Sequence, residues 1–162
     1  KALARSMANT KQIKAAAVLN NAFATAGGDG VSLINTAHPL GGGGTLANRA
    51  TTMADLNETS LEDALINIST FTDDKGLNIA LKGMKLIVPP QLQFVADRLL
   101  QTPGRVGTSD NDINSIKNQG MIPDGYVVNH YLTDTGNMRY KARERYSFGY
   151  SNFRAVYGSQ GA

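Results

Sequence analysis

Apolar residues recur with two different periods along this chain, and the switches between them divide it into elements. From Leu61 to Phe71 they stand three and four apart (Leu61, Ala64, Leu65, Ile68, Phe71), the spacing that puts them on one face of a helix. Thr59 followed three residues later by Glu62 has the form of a capping box, and Gly76 stands where a left-handed C-cap is expected, so a helix is predicted over 59–76. Residues 84–88 are a short apolar run closed by Pro89 and Pro90. They predict a buried strand feeding a helix that has Pro90 in its first turn and that Val95, Leu99 and Leu100 carry to Gln101.

The flanks are less periodic. Residues 2–26 are rich in Ala and free of Gly and Pro, predicting one long helix whose contacts come from Leu3, Met7, Val18, Leu19 and Phe23; Gly27 and Gly28 end it. Thr10 and Lys14 break its apolar stripe, which suits a helix lying across a surface. Residues 27–57, with four consecutive glycines at Gly41–Gly44, read as a long loop or a set of short strands. Residues 103–123 are turn-rich with a short helix near Ile113–Lys117, and Gly125–Thr133 is strand-like. From Met138 to Phe148 the period changes to two: Arg139, Lys141, Arg143 and Arg145 alternate with Met138, Tyr140, Ala142, Tyr146 and Phe148, with only Glu144 on the apolar side. A strand with one core-facing side and one row of like charges follows. Helices interleaved with strands, closing on antiparallel-looking C-terminal strands, place the chain in the α+β class.

Charge is segregated. The first 14 residues carry +4 and residues 137–162 carry +4, while the 122 residues between them carry −5, for a net +3. Basic ends around an acidic middle suit pairing between copies of the chain, and equally allow a basic surface to meet nucleic acid. A net charge of +3 is small for a dedicated DNA binder. With no cysteine, thiol catalysis, disulfides and zinc–cysteine sites are all excluded, as in proteins made in a reducing compartment. No apolar run is long enough to span a membrane.

Candidate chemistry is sparse. His38, before Pro39, reads as a turn residue, and His130 lies far from it with no metal-binding spacing. The four glycines lack the Lys and Ser/Thr of a phosphate-binding loop and read as a hinge. Asp110, Asp112 and Asn114 imitate the first ligands of a calcium loop, but Ser115 replaces its glycine and Met121 its bidentate glutamate. Asp73 and Asp74, beside Lys75, read as a solvated helix end. No enzyme, cofactor, metal or small-molecule substrate is expected from these residues.

Seven stretches carry a resemblance to a known family: KAAAVLNNAF (14–23), NTAHPLGGGGTL (35–46), LEDALINISTFTDDKGL (61–77), KLIVPPQLQFVADRLL (85–100), RVGTSDNDIN (105–114), GYVVNHYLTD (125–134) and NMRYKARERYSFG (137–149). In colinear order over nearly the whole chain, they resemble major capsid proteins of tailed bacteriophages, and within that group the Mu-type major head subunits. The resemblance implies the Hong Kong-97-type shell fold: spine helix and peripheral domain with a long sheet over 1–83, axial domain over 84–134, and C-terminal strands over 135–162 returning to the peripheral domain. It implies a structural subunit that joins copies of itself in hexamers and pentamers, encloses double-stranded DNA by non-specific contacts, is assembled in the bacterial host cytoplasm and resides in the virion capsid. Arg139, Lys141, Arg143 and Arg145, with Lys1 and Arg5, are then the expected subunit or DNA contacts. Two departures from the family pattern are expected to reflect either trimming of the chain or omission of poorly ordered segments from it. The chain begins inside the spine helix, without the family's N-terminal arm, and the strands ending near Asp134 and starting near Gly136 join directly. The alternative from another class is a sequence-independent nucleic-acid-binding module built on the strand Arg139–Arg145.

Overall fold

The computed structural model describes residues 2–50, 52, 54–104, 112–132 and 149–159 of the 162. Their elements, in order, are α1 (Ala2–Asn20), β1 (His38–Pro39), β2 (Thr45–Leu46), α2 (Glu58–Ser69), β3 (Leu86–Val88), α3 (Gln93–Gln101), α4 (Ser115–Asn118) and β4 (Tyr126–Val128). Short 3₁₀ turns at Pro90–Leu92 and Phe153–Ala155 complete them. Helices and strands are mixed, as the α+β reading expects. The described strands form two two-stranded ribbons.

Two apolar clusters organise these elements. In the first, Leu61 and Leu65 of α2 meet Leu99 and Leu100 of α3 and Ile116 of α4, with Leu56, Leu86, Val95, Ile122 and Tyr126 around them. The 61/65 spacing of α2 and the 95/99 spacing of α3 each bring one helical face to this centre. In the second, Ala22, Leu33 and Ile34 are packed by Val18, Phe23, Phe153 and Val156, joining the end of α1, the loop behind it and the C-terminal segment.

The ends of α2 differ from the sequence expectation. Its N-cap is Asn57, whose side chain accepts from Ser60 N–H at 2.9 Å while Ser60 Oγ accepts from Asn57 N–H at 3.0 Å; the capping box lies two residues upstream of Thr59–Glu62. The helix stops at Ser69, well short of Gly76. There the chain turns back on itself, Ile79 N–H donating to Phe71 C=O at 3.0 Å, so Phe71 is buried from a hairpin and not from the helix face. Gly76, at φ 81°, closes that hairpin's turn. Asp73 Oδ1 accepts from the N–H groups of Lys75 and Leu77 at 2.8 and 2.9 Å and so builds the turn, while Asp74, its side chain 62% exposed, pairs with Arg154 at 2.6 Å; neither carboxylate sits at a helix end.

β3 and β4 pair in parallel, Ile87 opposite Val127; the strand from Met138 to Phe148, expected to close the chain in antiparallel fashion, lies outside the described residues. A parallel pair needs a long crossover, and residues 89–125 provide it through α3 and α4. Pro90 opens the 3₁₀ turn that leads into α3, as the sequence indicates. Asn114 ties the crossover together: its Nδ2 donates to Leu99 C=O at 2.7 Å and Thr102 C=O at 2.9 Å, ending α3, while its Oδ1 accepts from Lys117 N–H at 3.3 Å, starting α4. That side chain is committed to backbone, which removes it from any calcium-loop role; Asp110 lies outside the described residues. α1 ends at Asn20 instead of Ala26, because Ile34 N–H donates to Ala22 C=O and Gly27 N–H to Val31 C=O, drawing 21–27 into a loop. The tetraglycine run is the turn of the β1–β2 hairpin, with Gly43 and Gly44 at φ 93° and 85°, and not a hinge between elements. None of the described helices is long and apolar enough to cross a membrane.

Candidate functional site

Of the expected contact residues, Arg139, Lys141, Arg143, Arg145 and Lys1 lie outside the described residues. Arg5 is exposed on α1, where none of the described side chains ahead of Ala16 is buried. Nine residues separate Arg5 from Lys14, about two and a half turns at 3.6 residues per turn, so these two cations project to opposite sides and do not form one basic stripe. What α1 offers is a helix none of whose described side chains ahead of Ala16 belongs to either apolar cluster.

The β3–β4 ribbon carries the second candidate surface. Side chains alternate across it: Leu86 and Tyr126 pack toward the first cluster and Val88 is buried, whereas the register partners Ile87 and Val127 are 46% and 45% exposed. Parallel strands ordinarily have both faces covered, since their crossovers lay helices over them. Here α3 covers one face only. Phe94, on α3 itself, is 73% exposed.

The most enclosed polar site among the described residues surrounds His38, the first residue of β1. The ring is fully buried and stacks on Phe153 with centroids 3.8 Å apart and planes 2° from parallel. Its Nδ1 lies 2.6 Å from Asp29 Oδ2 and its Nε2 3.2 Å from Asn48 Oδ1. Asn48, also fully buried, donates through Nδ2 to the carbonyls of Leu33, Phe153 and Val156 at 2.7, 3.1 and 3.0 Å, and its Oδ1 accepts from Asn35 N–H at 2.8 Å. Burial pushes the Asp29 carboxyl up, but the His38 hydrogen bond, the Val31 N–H and the charge of His38 together outweigh it and hold the carboxyl below its ordinary value.

A His–Asp pair invites comparison with a catalytic dyad. A general base needs a free ring nitrogen facing substrate, and both nitrogens of His38 are occupied by protein oxygens beneath an aromatic ring. The arrangement fastens three chain segments together. His38 is therefore structural, as the sequence suggests, but as a buried strand residue and not as a loop turn. Sequence reading misses Asp29, Asn48 and Phe153 as its partners, and no pattern of residue types in the loop marks them. No group of His, Asp or Glu residues able to hold a metal ion occurs among the described residues.

Residues 47–123 match the family model of the Mu-like prophage major head subunit gpT. The matched stretch runs from the residue before Asn48 through α2, β3, α3 and α4, and so contains all five buried residues of the first cluster. No curated protein and no solved structure matches the chain. Over this stretch the chain is similar to a Mu-like prophage major head subunit.

Proposed function

We propose that this chain is part of a major capsid subunit that assembles with copies of itself into the icosahedral head of a tailed bacteriophage and encloses double-stranded DNA. The observation that carries this reading is the match of residues 47–123 to the major head subunit family. The half-covered β3–β4 ribbon supports it physically, because an apolar strand face left open on one subunit is the kind of surface that a shell of identical subunits can close. The proposal extends to a Hong Kong-97-type fold, with a spine helix and peripheral domain over 1–83, an axial domain over 84–134 and returning strands over 135–162. Arg139, Lys141, Arg143 and Arg145, with Lys1 and Arg5, are its proposed contacts to neighbouring subunits or to packaged DNA.

The test is electron microscopy of the full-length protein that contains this chain, expressed with its head-assembly partners, beside Ile87→Asp combined with Val127→Asp and Arg139→Glu combined with Arg143→Glu. Closed shells from the parent support the reading. Folded but unassembled subunits from the Asp pair would place the ribbon face at a subunit contact. Normal shells from that pair would remove the face from the interface, and absence of shells from the parent, with salt-sensitive DNA binding by isolated subunits, would sink the capsid reading itself. For the Glu pair, loss of assembly assigns the basic residues to neighbours, and empty but normal shells assign them to DNA.

A further inference from the structure

The buried polar site around His38 takes no part in the contacts proposed above, yet its donors and acceptors do not balance for a neutral imidazole. Asn48 can be oriented only one way. Its Nδ2 faces three carbonyl oxygens and its Oδ1 faces the Asn35 N–H, so a flipped amide would set donor against donor and oxygen against three oxygens. His38 Nε2 therefore meets an acceptor and must carry hydrogen. Nδ1 meets a second acceptor, the Asp29 carboxylate, at 2.6 Å. A neutral ring has one N–H and would turn a lone pair on one of these oxygens; an imidazolium has two and satisfies both.

We propose that His38 is a buried imidazolium whose second proton latches residues 153–158 onto the 27–48 loop, so that loss of this proton opens the strap. The latch acts through contacts already described: the ring stacks on Phe153, and through Nε2–H it fixes the Asn48 amide that holds the Phe153 and Val156 carbonyls. Gly158 N–H completes the strap by donating to Asn48 C=O at 3.2 Å. The charged groups around the ring are few. Asp29 faces it from the loop; Arg154, in the 3₁₀ turn, lies 4.7 Å from the Phe153 centroid and opposes a second positive charge, but is paired with Asp74 from the 73–76 turn. Arg49, next to Asn48, is turned onto Phe23, 5.8 Å from its centroid. Asp29 is thus the counter-ion, and its carboxyl, held below the ordinary carboxylate value despite burial, leaves the proton on the ring.

The test uses the whole chain labelled with ¹⁵N. At neutral pH the two ring nitrogens of His38 should resonate together, each bearing hydrogen; widely separated resonances, the mark of one bare nitrogen, would overturn the proposal. Hydrogen exchange at the Gly158 amide, corrected for its intrinsic pH dependence, reports the strap directly. Raising the pH should open the strap, the opening constant growing by at most about tenfold per pH unit, the limit of a one-proton linkage. Asp29→Asn separates protonation from mere packing. Its amide can donate to a bare Nδ1, leaving the single N–H at Nε2 for Asn48, so the strap should stay closed and its exchange become flat with pH. The parent's slope persisting in Asp29→Asn would overturn the latch. Should that variant fail to fold, the ring resonances of the parent still decide.

Discussion

The two apolar clusters are built on opposite principles. The first joins α2, α3 and α4 through four leucines and one isoleucine, while the buried Asn114 caps helices beside Leu99. The second has only Ala22, Leu33 and Ile34 as buried apolar residues and closes on His38 and Asn48, both fully buried. Hydrophobic contact is non-directional, so the first cluster fixes that its helices meet but tolerates small shifts in how they do so. Hydrogen bonds are directional and costly to leave unmade, so the second fixes a single register among three aperiodic segments that have no periodic face to guide them. Where regular elements supply the geometry, apolar packing suffices; where none is available, a polar centre takes over the task of specification.

This contrast is sharpest at Asn48. Asn48→Asp would set an oxygen, charged or protonated, where an amide now donates to three carbonyls, and is expected to destabilise by more than about 4 kcal/mol, the range of buried uncompensated polar groups. Chemical denaturation of the whole chain measures it, and a loss below about 1 kcal/mol would mean that the second cluster is not organised by its polar centre. Next come Leu65→Ala and Leu99→Ala in the first cluster, each expected to cost about 2–5 kcal/mol as core truncations do. Leu65→Met should cost less than about 1.5 kcal/mol, because an apolar centre accepts a change of shape. A Leu65→Met penalty matching that of Leu65→Ala would erase the distinction between the clusters.

Acid should act on the second cluster. Asp29 titrates below its ordinary 3.8 in the folded chain, so its contribution is present above that value and is lost as pH falls through the lower folded one. The Asp29→Asn variant should therefore lose less stability than the parent between pH 5 and pH 2, and parallel acid curves would remove the carboxylate from the account. The smallest effects belong to the turn at 73–76, outside both clusters. Asp73→Ala, which removes two backbone acceptor contacts, should cost about 0.5–1.5 kcal/mol. Asp73→Asn keeps the accepting oxygen and should change stability by less than about 0.5 kcal/mol, as should Asp74→Asn, whose carboxylate is largely exposed in its pair with Arg154. A larger loss at Asp74 than at Asp73 would make the ion pair, not the turn, the source of order there.

The same contrast explains what the sequence makes legible. The Leu-Ile-Val run before Pro89 and Pro90, the Leu61/Leu65 face and the short helix after Asn114 are local signals, each carried within one turn or one strand, and each appears where the pattern puts it. The start of α2 is ambiguous because two overlapping tetrads, Asn57 to Ser60 and Thr59 to Glu62, both have the capping form; helical periodicity then carried the predicted end past Ser69 because Phe71 keeps the spacing although a hairpin buries it. The parallel pairing of β3 with β4 and the closing of the His38 centre by Phe153 depend on residues dozens of positions away, and no window along the chain displays them. For the basic stripe at Arg139–Arg145, period-two spacing defines the row of charges but does not name its partner.

Asn114 has a consequence for the order in which this molecule comes apart. A helix of four residues has no standing of its own, because its length does not repay nucleation. α4 exists because one amide, anchored on the last carbonyls of α3, also receives the Lys117 N–H. Fraying at the end of α3 and melting of α4 are therefore a single step, and with it goes Ile116, whose side chain belongs to the first cluster. The crossover between the parallel strands behaves as one mechanical part with one fastener.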